Sequence, residues 1–61
     1  MSKLTEKELS AIEDSLSAEQ VVIKKYQTYA MLCNDPQLKS RCEEIAKKHQ
    51  RHYDRLMSYL N

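Results

Sequence analysis

Glu19, His49 and His52 are the residues of this chain whose types and placement could do chemistry together. His49 and His52 stand three positions apart, so on a helix both imidazoles leave one face, one turn apart. They interrupt a stripe that is otherwise mostly apolar: Leu38, Cys42, Ile45, His49, His52, Leu56, Tyr59. Its steps alternate four and three, the seam of a helix packed lengthwise on another helix. In the N-terminal half a second seam runs Leu9, Ile12, Leu16, Glu19, Ile23, Tyr26, Ala30, Cys33, and Glu19 breaks it. A polar group inside such a seam costs free energy unless it is hydrogen-bonded or bound to a metal. Imidazole and carboxylate are good ligands for zinc, iron and manganese. Two readings stand side by side: a metal-free hydrogen-bonded polar layer that sets helix register, and a metal site.

The elements that position these residues are two helices. Thr5, followed three residues later by Glu8, fits a capping box, and Leu4 with Leu9 fits a hydrophobic staple. A first helix is therefore expected over about residues 5–33. Asn34 and Asp35 form the turn. Asp35 suits an N-cap and Pro36 the first helical position, which starts a second helix over about 36–60. So short a link makes the helices antiparallel neighbours. The chain contains no Gly and one Pro, and its apolar residues fall at helical rather than alternating spacing. The expected fold class is all-α, a single helical-hairpin domain over residues 1–61.

This fold puts the three polar seam residues at one level. Glu19 lies about 15 residues before the turn, and His49 and His52 about 15 and 18 after it. At roughly 1.5 Å per residue all three stand about 22–27 Å from the turn. Val22 and Tyr29 widen the first stripe on one side, and Ala46, Tyr53 and Leu60 widen the second. A chain of 61 residues seldom builds a sufficient core alone. A second copy is expected to cover the flank, giving a homodimeric four-helix bundle. The candidate metal ligands would then be Glu19, His49 and His52 from both chains, with zinc, iron or manganese as the ion. Facing helices of a bundle are a known place for such sites. Tyr26 and Tyr53 are near enough to the layer to donate to it.

Composition excludes other classes. Charged residues make up 31% of the chain, yet the net charge is only +1, which gives no electrostatic case for nucleic acid or an anionic membrane. No apolar run approaches the roughly 20 residues of a membrane span. The first residues are too polar for a signal peptide, so cytoplasmic synthesis without secretion is expected, with Cys33 and Cys42 as thiols. Their offset along the axis disfavours a bridge within one hairpin. Lys47, Lys48, Arg51 and Arg55 read as a solvated face carrying intrahelical pairs. Serine-triad, phosphate-loop and Cys-x-x-Cys patterns are all missing.

Residues 17–30, with Glu19 followed by Tyr26 and Ala30, resemble the first helix of a ferritin-like, rubrerythrin-type half-bundle. Residues 45–52 resemble its second helix. Residues 34–39 and 48–53 carry a nearer likeness, covering about residues 8–60, to small spore coat proteins of the coat F family. These are ferritin-like proteins of endospore-forming bacteria. The resemblance implies a ferritin-like bundle, spore coat localisation, other coat proteins as partners, and a structural or assembly role rather than an enzymatic one. By position, Glu19 matches the family's first-helix ligand and His52 its histidine. His49 stands where di-iron relatives have a bridging Glu. That departure removes negative charge that would stabilise two trivalent irons, and a nitrogen-rich site suits divalent ions, zinc most plainly. A metal-binding protein is the alternative function. A helical protein-interaction module is a third.

Overall fold

The computed structural model describes residues 3–60. Helix α1 spans Glu6–Leu32 and helix α2 spans Pro36–Ser58. The chain is an all-helical hairpin, with no strand among the described residues. The expected boundaries are off by one or two residues. Cys33 leaves the helix in an extended conformation, so the link is Cys33, Asn34 and Asp35. At the far end, Tyr59 N–H donates to Leu56 O at 3.1 Å and Leu60 N–H to Met57 O at 3.0 Å. These tight turns close α2 before residue 60.

Both helices start as their sequences dictate. The Thr5 hydroxyl accepts the Glu8 amide at 3.0 Å, and the Glu8 carboxylate accepts the Thr5 amide at 3.0 Å. This reciprocal pair satisfies two donors that the first turn of a helix otherwise leaves open. Asp35 Oδ1 accepts the amides of Gln37 at 2.8 Å and Leu38 at 3.3 Å. Pro36 follows at a position where its missing N–H removes no helical bond. The Cys33 thiol donates to Asp35 O at 3.5 Å within the link.

The seam between the helices is narrow. Ile23, Ala30 and Ala46 are buried, and Ile12, Leu16, Tyr26, Cys42, Tyr53 and Leu56 are half-buried. On α2 the inward row is therefore Cys42, Ala46, His49, Tyr53 and Leu56. It is turned slightly from the expected stripe, toward the buried Ala46 and away from Leu38 and Tyr59. The residues left on the outer edge of that stripe are open. Leu38 is 56% exposed and Tyr59 is 51% exposed, while Leu9 is also exposed on α1.

The molecule is a rod, with extents of 46 × 16 × 11 Å and a radius of gyration of 14.4 Å. A compact domain of this length has a radius of gyration of about 10.5 Å. The chain exposes 5154 Å². A compact monomer of the same 7.2 kDa exposes about 4,100 Å².

The α1 cap supplies an acid-sensitive contribution. Backbone and hydroxyl bonds from Thr5 hold the Glu8 carboxyl below its ordinary value of 4.5. A depressed folded-state value means the contribution is present above about pH 4.5 and is lost as pH falls through the lower folded value. Thr5→Ala should lower stability in urea denaturation by about 1 kcal/mol at neutral pH. The gap between the parent chain and Glu8→Ala should narrow as the same titration is repeated below pH 4.5.

Candidate functional site: a Glu–His–His layer

Glu19 sits on α1 between Leu16 and Ile23, on the inward face of the seam. His49 sits on the inward row of α2, and His52 one turn further along at its edge. The antiparallel pairing brings all three to one level. His49 Nδ1 lies 2.5 Å from Glu19 Oε1, and His52 Nδ1 lies 3.1 Å from Glu19 Oε2. An ionised carboxylate only accepts, so both rings donate through Nδ1–H. Each oxygen of one carboxylate thus holds one imidazole. The rings meet edge to face, with centroids 6.0 Å apart and planes at 86°.

Burial grades across the layer. The Glu19 side chain keeps 16% of its accessible surface, His49 keeps 29% and His52 keeps 48%. Glu19 lies deepest and His52 faces the open flank. The His49 hydrogen bond is the largest influence holding the Glu19 carboxyl below its ordinary range. Loss of solvent pushes the other way, while the His52 bond and the charges of the two rings lower it further. The carboxylate is therefore the favoured form, fixed by its donors rather than by a hydrated surface.

One donor atom from each of Glu19, His49 and His52 lies within 4.8 Å of the others. The sequence-predicted residues are thus brought together within a single hairpin. Ser15, Glu19, His52, Arg55, Leu56 and Tyr59 line an open depression beside them, which gives solvent a path to the layer.

The neighbouring tyrosines do not join the layer. The Tyr53 hydroxyl accepts from Gln20 Nε2 at 3.2 Å, an interhelical bond one position along from the Glu19–His52 pair on each helix. Tyr26 packs edge to face on Tyr29, with centroids 5.6 Å apart. The Gln20–Tyr53 bond was missed from sequence. Its signal was available, since residues 20 and 53 follow two residues already paired. The basic cluster carries no intrahelical ion pairs among the described residues, where the carboxylate pairings found are those of Glu19 with the two imidazoles. On α2 the i,i+4 contact is instead Gln50 Nε2 donating to Asp54 Oδ1 at 3.0 Å. Cys33 and Cys42 are free thiols.

No family model, curated protein or solved structure matches the chain. No helix among the described residues is long and apolar enough to cross a membrane.

The layer answers differently to partial and complete removal. A carboxylate stripped of its donors inside a seam is strongly destabilising, whereas a whole polar layer replaced by packed apolar groups is often neutral or stabilising. His49→Leu with His52→Leu, leaving Glu19 in place, should lower the melting temperature. Adding Glu19→Leu to that pair should raise it above the parent, as read by circular dichroism.

Proposed function

We propose that this protein is a self-associating structural protein of the spore coat type, working as a homodimeric, ferritin-like four-helix bundle. The observation that carries the reading is a flank with apolar residues at heptad spacing that the hairpin only partly covers: Tyr29, Leu38 and Tyr59 are exposed, and Val22 and Ile45 are half-buried. On α1 the row Ser15, Val22, Tyr29 recurs every seven residues, and on α2 the row Leu38, Ile45, His52, Tyr59 does the same. Steps of seven keep each row on one side of its helix. Ser15 shares its depression with His52, Leu56 and Tyr59, so the two rows border the same face.

The excess exposed surface of the rod supports a second copy as the occupant. It amounts to roughly 1,000 Å² over a compact monomer, and a standard interface removes about 800 Å² from each partner. The near-neutral chain, with net charge +1, raises little repulsion against its own copy. The two rows supply apolar contacts at heptad spacing, and His52 stands near the middle of the face. The spore coat assignment rests on the resemblance of residues 34–39 and 48–53 to the coat F family.

Sedimentation equilibrium on untagged protein should give twice the 7.2 kDa chain mass. Leu38→Glu with Tyr59→Glu changes two residues that are already exposed in the hairpin, so it should yield folded monomer. A parent chain that stays monomeric would remove the bundle and leave an interaction module for another protein. In spores of the source organism the protein should be recovered with the coat extract. Recovery only from the spore interior would contradict the coat role.

A further inference from the structure

We propose that Glu19, His49 and His52 of one hairpin form a three-donor site for a divalent first-row transition ion, zinc being the plainest. The site is complete within a chain, so it stands whether or not two hairpins associate.

The donor set selects the class of ion. Two imidazole nitrogens and one carboxylate oxygen suit zinc, cobalt, nickel, copper or ferrous iron. Calcium and magnesium prefer sets made of oxygen alone. The geometry selects the atoms. Both Nδ1 atoms already converge on the Glu19 carboxylate, at 2.5 and 3.1 Å. The two nitrogens of an imidazole point in nearly opposite directions, so rings that converge through Nδ1 spread their Nε2 atoms apart. A shared ion therefore sits on the Nδ1 side, with Glu19 as a direct ligand rather than as a distant orienter.

Closure needs little movement. Donors around a tetrahedral ion with bonds of roughly 2.0–2.1 Å stand about 3.3 Å from one another. Here the donor atoms lie within 4.8 Å of one another before any ion enters. His52 is the ring that can adjust, since 48% of its side-chain surface is open. Glu19 and His49 are held more firmly in the seam. An entering ion replaces the two Nδ1 protons that now bridge ring and carboxylate. Each bound ring then carries its single proton on Nε2: the proton displaced from Nδ1 is replaced there by exchange with water through the adjoining depression, and a ring that held two protons releases one to water. Three protein donors leave a fourth position for water, reached from the same side.

The test is titration of untagged, metal-free protein with Co²⁺, followed by competition with Zn²⁺. The expected result is a visible d–d band of four-coordinate strength that saturates at one ion per chain and is abolished by Zn²⁺. His52→Ala and Glu19→Gln should each weaken Co²⁺ binding by about tenfold or more. Tyr53→Phe, which alters only the neighbouring Gln20 bond, should leave it unchanged. Far-UV circular dichroism checks that each variant is folded, and His52→Ala changes the most exposed member of the layer. Absence of the band in folded parent protein, saturation at one ion per two chains, or binding indifferent to both ligand variants would overturn the site. Native mass measured on the same samples keeps the two readings apart. A metal-bound monomer would refute the bundle and leave the site, whereas a metal-free dimer would do the reverse.

Discussion

A carboxylate in an interhelical seam must be met by donors, and the meeting of Glu19 with two imidazoles organises the middle of this hairpin. Apolar contacts alone leave two long helices free to slide by a turn, because one Leu or Ile resembles the next. A single carboxylate with one ring on each oxygen admits one register. A slip of one turn would strand Glu19 inside the seam without a partner, which is costly in a way that a mismatched Leu is not. The link points the same way from the other end. Asp35 and Pro36 fix where α2 begins, and the Glu19 layer fixes what lies opposite what about halfway along.

Much of this was legible in the sequence because it rests on local rules. Thr5 and Glu8 stand at capping-box spacing and make both expected bonds. Asp35 and Pro36 mark the second start. The level of Glu19, His49 and His52 followed from counting residues from the turn, since helical rise is nearly constant. Side-chain orientation about each axis was less legible. An even heptad stripe placed Leu38 and Tyr59 in the seam, whereas the hairpin turns α2 toward Ala46 and Tyr53 and leaves both exposed. Periodicity fixes which residues share a face, but not how far that face is turned toward its neighbour. The hydroxyl of Tyr53 illustrates the same limit. It stood close enough to the layer by count, and yet Gln20 takes it.

The narrow seam and the graded burial of the layer are linked. Two helices can enclose only the residues between them, so the layer is sheltered at Glu19 and open at His52. That edge carries both proposals. It supplies apolar residues at heptad spacing for a second hairpin, and it leaves one imidazole open to solvent, where an ion would enter. A second copy lying over His52 would shield the layer from bulk water and strengthen its interactions, since charges and dipoles act more strongly away from solvent.

One carboxylate holds both rings through Nδ1–H. The most direct measurement is a long-range ¹H–¹⁵N NMR correlation of the histidine side chains in metal-free protein at mildly alkaline pH. The expected result is that both rings keep their proton on Nδ1, in contrast to the Nε2–H tautomer that free histidine favours, and that Glu19→Leu returns them to Nε2–H. Two rings already in the Nε2–H form in the parent protein would contradict the layer as described.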